Sequence, residues 1–216
     1  MAITVTVVDD HPAILAGIRA WYAEADPPIR VVAAGTSIKC AWTSPGDEAD
    51  VVILDLNVEE NPTVSYRATV RRLVDAGRKV IVYTMQDSED VALTCLDLGV
   101  CGFLTKAEGN DHLVAATVAA ARNQPYLPPA LAGAMVANRH PQRPALSDRE
   151  SEVLTLWFQC ESKQLVADLL DITTRTVGTH LDRIRLKYAN VGRPAATKAA
   201  LLARAIQDGL VDVDDL

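Results

Sequence analysis

Five residues with complementary chemistry end or follow strand-like runs in the first half of the chain. In chain order they are Asp9, Asp10, Asp55, Thr84 and Lys106. If the runs form a parallel sheet, these side chains meet outside the carboxyl ends of the strands, where such sheets bind ligands. Three carboxylates at one edge repel one another unless a cation neutralises them, and Mg²⁺ prefers oxygen ligands. We therefore predict a Mg²⁺ site in which Lys106 and the Thr84 hydroxyl face a phosphoryl oxygen.

Each of these residues also has an ordinary structural role when it is taken singly. An Asp after a strand is commonly a turn residue or a helix N-cap. Thr84 has the β propensity of a strand residue, and Lys106 alone is compatible with a solvated surface position. The set as a whole favours a phosphoryl site, because all five positions fall at the same predicted edge.

The strand-like runs alternate with segments of helical periodicity. The predicted strands are Ile3–Val8, Ile29–Ala34, Val51–Leu54, Lys79–Thr84 and Gly102–Leu104. The predicted helices are Ala13–Glu24, Thr63–Ala76, Glu89–Leu98 and Gly109–Arg122. Because parallel strands need crossover connections, this alternation predicts a doubly wound α/β domain over residues 1–122.

The chain changes character after residue 122. Five prolines follow within a short stretch, namely Pro125, Pro128, Pro129, Pro141 and Pro144. We predict a linker over residues 123–145 with a short helix near Ala130–Asn138, and an all-α domain over residues 146–216. Charge follows the same division, since residues 1–132 carry 10 Lys+Arg and 17 Asp+Glu, whereas residues 162–198 carry 7 and 3. The basic part of the chain therefore lies in the C-terminal domain.

The C-terminal segment has the signals of a helix-turn-helix. Ser147 and Glu150 form a capping-box pattern before an apolar run, which predicts the start of a first helix. A second helix is predicted over about Ser162–Leu170 and a third from Thr173 to near Tyr188. The inward stripe of the third helix is predicted to be Val177, Leu181, Ile184 and Tyr188.

The outward faces of this third helix carry candidate DNA contacts. The candidates near its start are Thr174, Arg175, Thr176, Gly178, Thr179 and Asp182. The candidates for phosphate contacts are His180, Arg183, Arg185 and Lys187. A solvated basic face on an ordinary amphipathic helix fits the same charges, so charge alone leaves both interpretations open.

Residues 3–122 resemble the receiver domain of bacterial response regulators. The shared residues are Asp9, Asp10, Asp55, Thr84 and Lys106. The resemblance implies a flavodoxin-like doubly wound (βα)5 fold, phosphorylation of Asp55 by a sensor histidine kinase, and switch roles for Thr84 and Phe103. The implied Mg²⁺ ligands are Asp9, acting partly through water, Asp10, Asp55 and the backbone carbonyl of Asn57.

The loop after Asp55 departs from the family pattern. The usual Met-Pro pair is absent, and the segment Leu56–Glu60 stands in its place. Its two glutamates, Glu59 and Glu60, either repel a dianionic phosphoryl group or point to solvent. By resemblance, Asn57 and Gln86 tune the lifetime of the acyl phosphate. The departure motivates an alternative hypothesis, an orphan regulator whose receiver acts without phosphorylation.

Residues 146–211 resemble the LuxR-type helix-turn-helix of the NarL/FixJ subfamily of response regulators. The segments that carry the resemblance are Leu146–Leu154, Thr176–Leu181 and Lys187-Tyr188. It implies a four-helix domain that binds promoter DNA. A final helix near Ala195–Asp208 packs the core and, in the family, pairs two such domains in a homodimer. Cys160 replaces a usual turn glycine, and Gly178 and Asp182 stand where many relatives carry basic residues, so we expect a different DNA preference.

These patterns together predict a cytoplasmic transcription regulator rather than an enzyme. The chemistry expected of it is limited to accepting a phosphoryl group on Asp55 and losing that group again. Phosphorylation of Asp55 is expected to change dimerisation or interdomain packing, with RNA polymerase as a further candidate partner. No apolar run is long enough for a membrane span, and no CxxC pair predicts a zinc site or a disulfide framework. A Mg²⁺-dependent aspartyl-phosphate phosphohydrolase is a third hypothesis, although Asn57 stands where its second catalytic Asp would be needed.

Overall fold

The N-terminal half is built on a parallel sheet of five strands. The strands are β1 (Ile3–Val8), β2 (Ile29–Gly35), β3 (Val51–Leu54), β4 (Val80–Thr84) and β5 (Gly102–Thr105), in the order β2-β1-β3-β4-β5. The helices around it are α1 (Pro12–Ala23), α2 (Tyr66–Asp75), α3 (Glu89–Leu98) and α4 (Asn110–Ala121). The computed structural model describes residues 2–58, 65–137 and 142–211. The predicted doubly wound architecture is confirmed.

The second crossover of the sheet contains no α-helix. Between β2 and β3 the chain instead forms two 3₁₀ helices, Ile38–Ala41 and Gly46–Glu48. A Cβ atom on Gly46 would lie 1.9 Å from the carbonyl oxygen of Cys40, so the two 3₁₀ helices meet at a contact that only glycine permits. The Arg78 guanidinium donates to the Gly46 carbonyl oxygen at 2.8 Å and ties this crossover to the start of β4.

The two faces of the sheet are covered by different helices. Alternate strand residues face α1 and α4, namely Ile53, Ile81 and Leu104. The residues between them face α2 and α3, namely Leu54, Val82 and Phe103. Because both faces are buried, the central strands are apolar throughout, as expected for a parallel sheet between two helical layers.

The C-terminal half contains the predicted helix-turn-helix. Its helices are α6 (Asp148–Gln159), α7 (Lys163–Leu170), α8 (Thr174–Asn190) and α9 (Lys198–Gln207). The capping box of Ser147 and Glu150 starts α6, and the Thr173 hydroxyl caps α8 by accepting from the Thr176 amide at 3.1 Å. The inward stripe of α8 is fully buried as predicted, at Val177, Leu181, Ile184 and Tyr188.

The helix inside the predicted linker is packed against both halves of the chain. This helix is α5 (Pro129–Ala137), and its Ala132 and Met135 side chains are fully buried. The predicted end at Asn138 lies outside the described residues. Helix α5 contacts α9 and α3, so one apolar core runs from the α2–α3 face of the sheet to the helix-turn-helix.

Polar contacts reinforce the packing of α9 on α3. Arg204 forms an ion pair with Asp97 at 2.9 Å, and Gln207 donates to a Glu89 carboxylate oxygen at 3.2 Å. Every residue from Ala199 to Gln207 is buried. The C-terminal helix is therefore enclosed between the receiver-like half and the helix-turn-helix.

None of the four cysteines forms a disulfide bond. Within the ranges that the structure describes, no helix combines the length and the apolarity needed to cross a membrane.

Gly99, at the end of α3, offers a test of the packing beside α9. Its φ is +112°, and a Cβ there would lie 2.6 Å from a Val74 methyl group. We expect Gly99→Ala to lower the free energy of unfolding by about 1–3 kcal/mol, since backbone strain and a clash coincide. Gly133→Ala is the matched control, because a Cβ atom on this helical glycine would have no neighbour within 4 Å. We expect this variant to have a free energy of unfolding higher by about 0.5–1 kcal/mol. Urea titration of both variants measures the difference, and similar stabilities would contradict the expectation.

Candidate functional site

The carboxylates of Asp9 and Asp55 lie side by side at the ends of two neighbouring strands. The register pairs Val8 of β1 with Leu54 of β3, and the Asp55 amide donates to the Val8 carbonyl oxygen at 2.9 Å. Each Asp is only 2% exposed. Parallel pairing thus brings two buried carboxylates close together at one edge of the sheet, as the sequence predicted.

Lys106 supplies the positive charge that makes this burial tolerable. Its ammonium lies 2.6 Å from Asp55 Oδ2 and 2.7 Å from Asp9 Oδ2. Its backbone amide donates to the Thr84 carbonyl oxygen at 2.8 Å, which fixes its position beyond β5. Burial lowers the pKa of Lys106, but the hydrogen bonds and charges of Asp55 and Asp9 outweigh it, so the pKa is raised. The side chain therefore carries a full positive charge at neutral pH.

Asp10 and His11 form the exposed rim of the pocket. The Asp10 side chain is 41% exposed, and one of its oxygens contacts His11 Nδ1. Ligand atoms of Asp9, Asp10, His11 and Asp55 all lie within 4.8 Å of one another. Three carboxylates so close together suit a hard divalent cation, which supports the predicted Mg²⁺ site. His11 was not among the predicted ligands. The signal in the sequence was a histidine, a residue type that can bind metals, directly after the acid pair Asp9-Asp10.

The predicted switch residues lie beneath the pocket. Thr84 is fully buried at the end of β4, and its hydroxyl accepts from the Gln86 amide at 3.4 Å. Phe103 is 2% exposed and packs in the core on the α3 side of the sheet. Both residues thus connect the pocket to the layer that contains α3.

The two residues predicted to affect acyl phosphate lifetime face each other at the pocket. The backbone amide of Asn57 donates to Asp55 Oδ1 at 3.3 Å. The side-chain oxygen of Asn57 accepts from Gln86 Nε2 at 3.4 Å. Glu59 and Glu60 lie outside the described residues.

The outward face of α8 is open to solvent. Its exposed predicted contacts are Thr174, Arg175, Thr179, Asp182 and Arg183. Thr176, Gly178, His180 and Lys187 are half-buried. Thr176 is engaged in the N-cap, where its hydroxyl bonds that of Thr173 at 2.8 Å.

Three of the charged candidates on α8 already have partners within the domain. Lys187 donates to Glu150 Oε2 at 2.6 Å and to the Ala145 carbonyl oxygen at 2.9 Å. Asp182 pairs with Arg185 at 3.0 Å. The ammonium of Lys187 thus stabilises the capping box, and its predicted DNA contact would compete with that ion pair.

Comparison with known proteins assigns both halves of the chain. Residues 5–118 match the response regulator receiver domain, and residues 144–200 match the bacterial regulatory proteins of the luxR family. The response regulator GacA of Pseudomonas aeruginosa is 26% identical over an alignment of 218 positions, which covers 97% of this chain and 98% of GacA. The nitrate/nitrite response regulator protein NarL of Escherichia coli K12 is 27% identical over 192 residues, 85% of this chain and 88% of NarL.

A solved structure agrees with these matches. The response regulator ChrA of a heme-sensing two component system is 31% identical, with a TM-score of 0.50 over 97% of this chain and 99% of ChrA. A receiver followed by a LuxR-type DNA-binding domain defines a class of two-component regulators of transcription. The chain belongs to that response regulator family, in its NarL/FixJ subfamily. The family acts as DNA-binding regulators and not as classical enzymes, so the phosphohydrolase hypothesis gains no support.

The buried ion pairs of Lys106 generate a prediction about cation binding. Replacing Lys106 with Ala leaves two buried carboxylates without their counter-charge, and we expect a loss of roughly 3–5 kcal/mol in the free energy of unfolding. Millimolar MgCl₂ should recover part of this loss, because the same acids would then hold a divalent cation. Thermal unfolding with and without MgCl₂ measures both effects, and Lys39→Ala is the control, since Lys39 is exposed in the same domain. If MgCl₂ stabilised neither variant, the predicted site would be contradicted.

Proposed function

We propose that Asp55 accepts a phosphoryl group from a sensor histidine kinase and that this event controls binding of the LuxR-type domain to promoter DNA. The observation that carries the proposal is the buried pair of Asp55 and Asp9 held by Lys106. Family membership supports placing this regulator in the cytoplasm, with a homodimer as the DNA-binding form and RNA polymerase as a further partner.

The chemistry at Asp55 is a transfer between two nucleophiles. A carboxylate oxygen bonds to phosphorus while the phosphorus–nitrogen bond of the kinase phosphohistidine breaks, and the imidazole leaves with the electron pair. Lys106 is already placed beside the accepting carboxylate, so it can neutralise charge on the phosphoryl oxygens without rearrangement. Bound Mg²⁺ would supply further positive charge there. The residues that would hold it are Asp9, Asp10, Asp55 and Asn57 through its backbone carbonyl.

Phosphorylation has a short structural route to α3. A phosphoryl group on Asp55 draws the Lys106 ammonium away from the carboxylate oxygens that it now contacts. Its oxygens also offer a hydrogen-bond acceptor to the Thr84 hydroxyl. Thr84 lies at the end of β4, and Phe103 packs from β5 on the α3 side of the sheet. A shift of these two residues therefore changes the surface on which α3 rests.

Helix α3 in turn covers α9. In the present structure α9 is enclosed, and its contacts to α3 include the ion pair of Arg204 with Asp97. The family resemblance gives this C-terminal helix a role in pairing DNA-binding domains, which an enclosed helix cannot perform. We infer that the enclosed α9 belongs to the resting arrangement of the regulator and that release of α9 permits dimerisation, a shift between two populated states.

The orphan hypothesis retains one supporting observation. The segment after Asp55 lacks the Met-Pro pair of typical receivers and carries two glutamates. In that case the receiver would control α9 through the same contacts but would respond to a ligand or to dimerisation instead of a phosphoryl group.

Acetyl phosphate distinguishes these two possibilities. With Mg²⁺ present, the wild type should gain the mass of one phosphoryl group and shift towards a dimer, because the buried Asp55 carboxylate lies 2.6 Å from the Lys106 ammonium and is the proposed acceptor. Asp55→Asn should show neither change. Intact mass spectrometry and analytical ultracentrifugation measure the two effects, and an unmodified wild type would favour the orphan hypothesis.

The contact between α3 and α9 can be weakened without phosphorylation. Asp97→Ala removes the partner of Arg204, so we expect a larger dimer fraction in the absence of any phosphodonor. Asp75→Ala is the control, because Asp75 is an exposed acid at the end of α2. Sedimentation of both variants over a concentration series provides the measurement. Equal dimerisation of Asp97→Ala and Asp75→Ala would mean that this ion pair does not restrain α9.

A further inference from the structure

The outward face of α8 has a gap that a residue of another helix fills. Gly178, which has no side chain, leaves this gap. The ammonium of Lys163, the first residue of α7, lies 4.0 Å from the point where a Cβ atom on Gly178 would be. A cation therefore stands over the reading helix at this position, although α8 itself does not provide it.

The position of Lys163 follows from how α7 is attached to α8. The Ser162 hydroxyl accepts from the Leu165 amide at 3.3 Å and caps α7 directly before Lys163. The Thr174 hydroxyl donates to Gln164 Oε1 at 2.8 Å, which joins the first turns of the two helices. Val166, one turn further along α7, is fully buried. The first turn of α7 is thus held beside the start of α8.

The charge at this place is unfavourable for the isolated fold. A cation in the first turn of a helix opposes the helix dipole, and α7 has no acidic residue in that turn to offset it. Across the described parts of the chain, no carboxylate lies within ion-pair distance of Lys163, whereas Arg185 and Lys187 both have acidic partners. An unpaired cation next to a positive helix end is a site for an anion.

We infer that Lys163 binds a DNA backbone phosphate beside the bases that α8 contacts, and so replaces in function the side chain missing at Gly178. The inference rests on the proposed DNA-binding function. Lysine is a flexible point charge, so the contact contributes affinity without sequence preference. Base discrimination remains with the exposed residues of α8, such as Arg175.

The salt dependence of DNA binding tests this assignment. The probes are duplexes selected by the wild type from a random pool and an unselected duplex, both measured with Mg²⁺ and beryllofluoride. For Lys163→Ala we expect the slope of log affinity against log salt to fall by about one unit per DNA-binding domain, with the same fold-loss on both duplexes. Lys39→Ala removes an equal charge from the receiver and should leave the slope unchanged.

A second variant guards against a folding effect. In the double variant Lys163→Ala/Gly178→Lys, a lysine on α8 occupies the vacated space, and the slope should return towards that of the wild type. An unchanged slope in Lys163→Ala, together with a loss of affinity in Arg175→Ala, would overturn the inference while leaving DNA binding intact. Failure of the wild type to bind either duplex would refute the DNA-binding function itself.

Discussion

The ion pairs between Lys106 and two buried aspartates constrain the whole receiver. Asp9, Asp55 and Lys106 follow three different strands, and their charged groups meet only when β1, β3, β4 and β5 are adjacent and in register. Burying either acid without the ammonium would be costly, so the correct sheet order and the ion pairs of the pocket stabilise each other. The charge that the proposed phosphorylation would add to Asp55 would therefore disturb these ion pairs.

The continuous core extends this dependence to the other half of the chain. Helix α3 packs on the sheet with one side and on α9 and α5 with the other. Cores pack densely and deform little, so a small displacement of α3 is transmitted to its neighbours and not absorbed. The ion pair of Arg204 with Asp97 adds a directional contact at the point where the halves meet. The receiver and the DNA-binding domain therefore share one packed layer, and α5 is part of that layer.

Much of this arrangement was predictable from local signals. The acids after β1 and β3, the alternating apolar strands and the stripe of α8 each have a short-range pattern with a direct physical cause. The two 3₁₀ helices of the second crossover were not predictable, because they depend on a close backbone contact at Gly46. Likewise, the ion pair of Lys187 with Glu150 joins residues far apart in sequence, and only tertiary structure reveals it. The position of the Lys163 ammonium beside Gly178 is likewise visible only in the tertiary structure.

The exposure of α8 differs from that of α9, and the difference determines what the receiver regulates. Arg175 and Arg183 are open to solvent in the same structure that encloses Ala199–Gln207. In the proposed resting monomer, α8 would therefore still be accessible to DNA, but one recognition helix would bind at a time and with the short residence of a single weak contact. Joining two such contacts raises the local concentration of the second site once the first is bound, which lengthens occupancy without altering either surface. Under the proposed function, dimerisation would thus change how many contacts the regulator makes with DNA at once, whereas α8 would be accessible in both states.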